Sequence, residues 1–429
     1  MRHSCVLVAT LLLHTFAAAA AATTITVTSA SSGSNVMNGC ALRDAIQAVN
    51  TLAPVGQCPA GTNGVNTINI TVDTLSFTEI DAHSTGAALP ALAAGRYLNL
   101  YGRPQLRTSL SVGSPCDSFV TFSSRLLEVN AGAALYVADI DFSHGCPNTL
   151  GGVGGAIANF GTLYLVRSRL YQNYAYATGL FSSTYYPGAA VYNGPDAQFS
   201  ASGVVFDSNT GDGALYVDED PQTGFASVDG CTFVDNTGSA IDNHGATQVT
   251  NSTFAGNFGL GSGAFSLTLA GGAILNNGFL GLSFATLFGN SLQGNAGFFS
   301  TELDLGATST TWITSTLFAT PVSQFSVNCS VANGASVAWL GTSISRDATC
   351  GGGSNLINTD PRLDTALASN GGPTQTMKLL ADSPAWHRAG DCLDAYGDPV
   401  SVDQRGFSRP PNHCDAGAFG DTVFYDGLQ

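Results

Sequence analysis

The sequence predicts an all-β chain wound as a parallel β-helix, a solenoid of short strands with a helical cap at its N-terminal end and a disulfide-containing module at its C-terminal end. Three observations lead there. The first is composition. Glycine makes up 51 of 429 residues, hydrophobic residues 44% and charged residues only 10%. Such a chain can bury a large core, and it lacks the charge excess of a disordered one. It also lacks the surface chemistry of helices, which use Lys and Glu freely. Lys378 is the only lysine, and Glu79, Glu128, Glu219 and Glu302 are the only glutamates, against 26 aspartates. That balance favours turns and strands. The second observation is a repeat of roughly thirty residues. The third is a two-residue alternation inside each repeat.

The repeat is anchored on an apolar residue three before an Asn. It reads Leu170-Tyr-Gln-Asn173, Phe206-Asp-Ser-Asn209, Phe233-Val-Asp-Asn236, Phe254-Ala-Gly-Asn257 and Leu287-Phe-Gly-Asn290, with Phe142-Ser-His-Gly145 before and Leu317-Phe-Ala-Thr320 after. The anchors are 28, 36, 27, 21, 33 and 30 residues apart. Two before each anchor stand Ile140, Ser168, Val204, Cys231, Ser252, Ala285 and Ser315. Five before stand Val137, Leu165, Ala201, Val228, Val249, Leu282 and Trp312, and seven before Leu135, Leu163, Phe199, Ala226, Thr247, Leu280 and Thr310. A period of this length signals a solenoid. Alternation at i, i+2 signals strands, whose side chains point to opposite faces in turn. The step from two to three residues marks a bend. Coils of this kind stack at the strand spacing of about 4.8 Å, so like residues pile up along the axis.

A second motif precedes several anchors: Gly154-Gly-Ala-Ile157-Ala-Asn159, Gly188-Ala-Ala-Val191-Tyr-Asn193, Gly238-Ser-Ala-Ile241-Asp-Asn243 and Gly271-Gly-Ala-Ile274-Leu-Asn276. Gly permits a left-handed turn and Ala-Ile resumes the inward alternation. The Asn positions are expected to form amide ladders from coil to coil. Cys40-Ala-Leu-Arg-Asp-Ala-Ile-Gln-Ala-Val-Asn50 reads as the capping helix, with Leu42, Ala45, Ile46 and Val49 on one face. Val65 to Val72 and Tyr97 to Tyr101 read as early strands, and Asp73 to Pro90 as an excursion.

Met1 to about Ala22 reads as a secretory leader: Arg2 and His3, then an apolar run from Val6 to Phe16, then small residues. No later stretch reaches the ~18 apolar residues of a membrane span, so none is expected in the mature chain. Export lets the nearby cysteines pair, with Cys40/Cys58, Cys116/Cys146, Cys329/Cys350 and Cys392/Cys414 as candidates. Cys231 is left over and reads as a small buried residue. The formal net charge of −16 argues against nucleic acid, whose phosphates need a basic face. The expected organisation is a leader over 1–22, a cap and first coils over 23–130, the main coils over 131–320, last coils and a C-terminal module over 321–420, and a tail over 421–429.

Past Thr320 the repeat fades and distinct blocks follow: Asp360-Pro-Arg-Leu363, Asn370-Gly-Gly-Pro-Thr374, Ser383-Pro-Ala385, Asp403-Gln-Arg-Gly406, Arg409-Pro410 and Cys414-Asp-Ala-Gly-Ala418. In this order they resemble the choice-of-anchor domain, type Q. Cys40-Ala-Leu-Arg-Asp-Ala45 is similar to the N-terminal segment named for the CSLREA motif, and the Gly-Gly-Ala-Ile-x-Asn coils resemble right-handed parallel β-helix surface proteins of bacteria. Trp386-His387 departs from the family's apolar-Asp pair. The resemblance implies a secreted or cell-surface protein, often of unknown molecular activity. The expectation is an extracellular or outer-membrane-associated protein, non-catalytic, serving in adhesion or polysaccharide binding.

A polysaccharide lyase or hydrolase is the alternative, since β-helices also carry those activities and fold alone does not decide. Asn358-Thr-Asp360 offers a carboxylate outside the repeat, where a turn before Pro361 is the simpler reading. Arg167 and Arg169 are the basic pair of the coils and candidates for meeting an acidic sugar. Tyr171, Tyr185 and Tyr186, in an aromatic-rich insertion, are candidates for stacking on sugar rings. Asp218, Glu219 and Asp220 form the densest acidic turn and a possible calcium site. His144 and His244 each precede a glycine, with no catalytic partner evident in the sequence.

Overall fold

The computed structural model describes residues 22–84, 86–113, 124–147, 152–178, 183–219, 224–260, 271–293, 299–321 and 326–420. The body of the leader, Cys116, Asp220 and the tail 421–429 lie outside them. Among the described residues one helix, Leu42–Thr51, accompanies three long parallel sheets of eleven, ten and eight strands. From Tyr97 to Val331 each coil contributes one strand to each sheet in turn, and the coils before and after are partial. Thr162–Val166, Arg169–Tyr171 and Val191–Asn193 are succeeded by Gln198–Ser202, Val205–Asp207 and Leu215–Val217, each on its own sheet. The chain is a parallel β-helix.

The register follows the repeat. Leu135, Leu163, Phe199, Ala226, Thr247 and Leu280 are successive partners on the eleven-stranded sheet. Phe142, Leu170, Phe206, Phe233, Phe254 and Leu287 are successive partners on the ten-stranded one. All are buried. Phe206, Phe233 and Phe254 stack face to face with centroids 4.4 and 4.9 Å apart. Between these two sheets the chain turns on one residue with positive φ in seven successive coils: Asp139, Arg167, Gly203, Gly230, Asn251, Phe284 and Ser315. One left-handed residue explains the three-residue step in the pattern.

The Asn anchors form a buried ladder. The side-chain amides of Asn173, Asn209, Asn236 and Asn257 each donate to the Oδ1 of the next, at 3.0, 2.9, 2.8 and 2.8 Å. Each also donates to a carbonyl of the preceding coil, as Asn236 does to Phe206 at 2.9 Å. The ladder ends where Asn290 donates to Glu302. A second ladder joins Asn159 to Asn193 and Asn243 to Asn276, each at 2.7 Å. It is interrupted by Val217, which pairs between Asn193 and Asn243.

Three expectations need correction. In the last of the aligned repeats Leu287 pairs with Phe318, so Phe318 and not Leu317 is the anchor. Thr311 and Ile313 then take the inward places expected for Thr310 and Trp312, and Ser315 is the bend residue. Two adjacent apolar residues and no Asn left that coil without a fixed phase, and Thr320 does not continue the ladder. Asp73 to Pro90 is not an excursion: Thr74–Phe77 opens the ten-stranded sheet against Thr108–Val112. Its four residues have no earlier repeat to be aligned with. Thr23–Val27, unforeseen, opens the eleven-stranded sheet against Val65–Ile70.

The cap helix buries Leu42, Ala45, Ile46 and Val49. Arg43 ties it to the first coils, donating to the Ala88 carbonyl and to Glu79, both at 2.8 Å. Disulfides join Cys40 to Cys58, Cys329 to Cys350 and Cys392 to Cys414, and Cys146 is also disulfide-bonded. Beyond Asp360 the chain has turns and isolated bridges and runs back along the bend. Thr374 Oγ1 donates to the Gly230 carbonyl (2.8 Å), Arg409 Nη2 to Asn251 Oδ1 (2.9 Å), and the Gly417 N–H to the Ser315 carbonyl (2.7 Å).

Candidate functional site

The eight-stranded sheet turns its Ile, Val, Leu and Asn side chains inward. Its outward positions make two rows. Ala158, Tyr192, Tyr216, Asp242, Leu275 and Asp304 are successive partners in the first. Two residues further along each strand the chain returns to the same face, and there stand Phe160, Gly194, Asp218 and His244.

The centre of these rows is aromatic and acidic. Tyr192 stacks on Tyr216 with centroids 5.9 Å apart, and Tyr216 on His244 at 5.1 Å. Phe160 meets Tyr192 edge-on at 5.7 Å. Gly194 is needed here, because a Cβ would stand 2.9 Å from the Phe160 ring and 3.2 Å from that of Tyr192. The Tyr192 hydroxyl donates to Asp218 Oδ2. Asp218 Oδ1 accepts the Glu219 N–H at 2.7 Å.

His244 Nε2 lies 3.0 Å from the buried Asp242 Oδ1, at ion-pair distance but off the hydrogen-bonding direction. The Asp242 carboxylate raises His244 above the ordinary imidazole value, against an opposing effect of burial. Asp212, at the corner where the chain enters this sheet, is pushed up to about 6, first by burial and then by the charge of Asp242. At the far end of the row burial pushes Asp304 to about 6 as well. Burial raises Tyr192 and Tyr216 further from ionisation, so both hydroxyls remain donors. Tyr192, Asp242 and Asp304 are buried and Phe160, Tyr216, Asp218 and His244 half-buried, so the acceptors, donors and ring edges within reach of solvent are those of the last four. The strip also sets Asp212, whose carboxyl burial raises to about 6, near the carboxyl of Asp242.

The residues singled out in the sequence fall on different faces. Arg169 and Tyr171 lie on the ten-stranded sheet, with the guanidinium 4.4 Å from the ring centroid. Arg169 is paired with Asp207, and Arg167, at the bend, forks onto Asp139 at 2.9 and 2.7 Å. Both arginines are thus neutralised by carboxylates of adjacent coils. Tyr185 pairs across a short hairpin with Tyr176, centroids 6.1 Å apart. The backbone of Tyr186 bonds Ala175 and Asp212. Of the acidic turn, Asp218 reaches the aromatic strip, Glu219 is exposed and Asp220 lies outside the described residues. Among the described residues no three His, Cys, Asp or Glu side chains are grouped to hold a metal ion.

His244 does have an acidic partner. Asp242 is two residues before it on a strand, a spacing that puts both on one face. The pair is missed in the sequence when only the glycine after His244 is noted. No family model matches the chain, and no curated protein matches it. Among the described residues no helix is long and apolar enough to cross a membrane.

Proposed function

We propose that the protein is exported and acts outside the cell or at its surface as a non-catalytic β-helix that binds a neutral, hydroxyl-rich polysaccharide along the eight-stranded face. The observation that carries this reading is the outward strip Phe160–Tyr192–Tyr216–His244 with Asp218 and Asp242 beside it. Ring edges and carboxylates spaced one coil apart suit a repeating ligand rich in C–H and hydroxyl groups. Acidic sugars fit less well, since Arg167 and Arg169 already serve Asp139 and Asp207. Several disulfides, with an apolar leader ahead of the coils, support an oxidising extracellular setting.

In the same reading the chain divides into a leader, a CSLREA-type capped start, the coils, and a choice-of-anchor Q-type module. The Asp403-Gln-Arg-Gly406 and Arg409 blocks of that module supply its docking contacts. A hydrolase is the second reading, favoured by Asp212, raised to about 6, as a proton donor near a second carboxyl at Asp242. The test is a panel of neutral and acidic polysaccharides assayed for gel retardation and for new reducing ends, with and without calcium. Retardation by a neutral glycan without new ends, weakened about fivefold or more in Tyr216→Ala, is the expected result. New reducing ends, lost in Asp212→Asn, would shift the assignment to a hydrolase. Retention that requires calcium would give the Asp218–Asp220 turn a metal. No retention by any glycan would leave a structural spacer.

A further inference from the structure

We infer that the protein carries a second saccharide site, on the eleven-stranded face and independent of the strip just described, where the C-terminal segment folds onto the coils. A cleft of about 500 Å³ lies there, within the ~300–1,000 Å³ usual for small-molecule sites. One wall is the coil surface at Thr314 and Leu340 to Thr342; the other is the loop from Arg388 to Gly397.

Tyr396 is the platform. Its ring is backed by Trp312 and Phe279, with centroids 5.7 and 6.1 Å away, and those two meet edge-on at 5.1 Å. It also lies against the backbone of Gly281, where a Cβ would come within 2.9 Å of the ring. The loop that presents it is fixed beforehand. Asp394, buried, accepts the N–H groups of Tyr396 and Asp398 at 2.8 and 2.9 Å and the Gln248 amide at 2.9 Å, while the Ala395 N–H donates to Ser283 Oγ at 2.8 Å. Preorganisation of this kind lowers the cost of binding.

The polar groups of the cleft define the ligand. Arg388 and Asp391 are exposed at its rim, and neither forms an ion pair among the described residues. One supplies donors and the other acceptors, the pairing that suits adjacent sugar hydroxyls. Their opposite charges disfavour a ligand of either net charge. An aromatic platform flanked by such a pair fits one or two units of a neutral saccharide.

The test uses the full chain and an array of neutral tri- to hexasaccharides of glucose, galactose, mannose, xylose and N-acetylglucosamine, followed by calorimetry and tryptophan fluorescence. At least one sugar is expected to bind saturably and to change a fluorescence component that Trp312→Phe removes. Read in the fluorescence component that belongs to Trp312, Tyr396→Ala should weaken binding about tenfold and Arg388→Ala about fivefold. Arg388 is exposed, so its variant decides the matter even if Tyr396→Ala lowers the melting temperature. Absence of binding to every sugar up to about 10 mM, or binding that survives Arg388→Ala undiminished, overturns the inference.

Discussion

The coil stack and the segment from Asp360 to Gly420 bury their residues by opposite means. In the stack one slot is filled by similar apolar groups in layer after layer: Phe142, Leu170, Phe206, Phe233, Phe254, Leu287 and Phe318. In the C-terminal segment no slot repeats: single apolar groups such as Leu363, Met377, Leu379 and Phe419 are buried beside single polar ones. Gln404 donates to the Cys231 carbonyl, Thr232 and Thr374, all at 2.9 Å, and accepts from Thr253 at 2.6 Å. Arg409, fully buried, spreads its donors over Asn251 and the carbonyls of Val402, Asp415 and Gly417. Its guanidinium lies 4.3 Å from the Phe284 centroid, and burial lowers its pKa to about 10. A repeated slot makes stability nearly a sum over neighbours. A one-off contact makes it depend on single donors and acceptors.

The largest expected effect breaks the stack. Phe233→Ala opens a void between Phe206 and Phe254 and should cost about 3–5 kcal/mol, read as a shift in the chemical-denaturation midpoint. A cost below about 1 kcal/mol would mean that the ring column does not hold the coils together. Arg409→Met comes next and sharpens the contrast. It strands four acceptors at the bend and should cost on the order of 3 kcal/mol. Here the loss should be local: limited proteolysis should release the segment after Asp360 while the strand signal in circular dichroism persists. Simultaneous loss of both would show that the segment and the coils unfold as one unit.

What could be read from the sequence divides along the same line. The slots from Leu135 to Leu287 were legible because each is stated many times over. Phe318 was misassigned by one residue where Leu317 and Phe318 compete and no Asn fixes the phase. Thr23–Val27 and Thr74–Phe77 escaped because they stand before the repeat becomes recognisable. The blocks around Gln404 and Arg409 were visible as words, but their partners Thr253 and Asn251 lie about 150 residues away and no periodicity points to them. The aromatic strip was half legible. Tyr192, Tyr216 and Asp242 are the outward residues of motifs whose inward residues drew attention, and alternation alone would have placed His244 beside Asp242.

A smaller effect belongs to the end of the Asn ladder. Glu302 accepts from Asn290 and Thr320 and is fully buried. Burial raises its carboxyl from the ordinary carboxylate range to about 8. The fold therefore favours the protonated form. That contribution is complete below the unfolded value and is lost as pH rises through the folded one. The wild-type melting temperature should fall by about 3 °C relative to Glu302→Gln between pH ~5 and ~9. Parallel curves for the two proteins would mean that the ladder ends on a carboxylate already ionised at low pH.

The smallest effect concerns Cys231, the free cysteine among the described residues. It occupies the slot two before the anchor, which Ser168, Ser252 and Thr316 fill in other coils. In that slot the serine and threonine hydroxyls donate back across the bend: Ser168 to Val166, Ser252 to Thr250 and Thr316 to Thr314, at 3.1, 2.8 and 3.0 Å. The Cys231 thiol makes the same bond to Asp229 at 3.3 Å, and the Cys231 N–H donates to Ser252 Oγ at 3.2 Å as the Ile140 N–H does to Ser168. Burial pushes the thiol up to about 12, so it stays a donor at physiological pH. The lone cysteine is thus a member of a hydroxyl column rather than a reactive group. Cys231→Ser should shift stability by less than about 1 kcal/mol and Cys231→Val, which cannot donate, by more than the serine change, both measured by urea denaturation. A serine variant that loses over about 2 kcal/mol would show that the slot selects sulfur for its volume and not for its hydrogen bond.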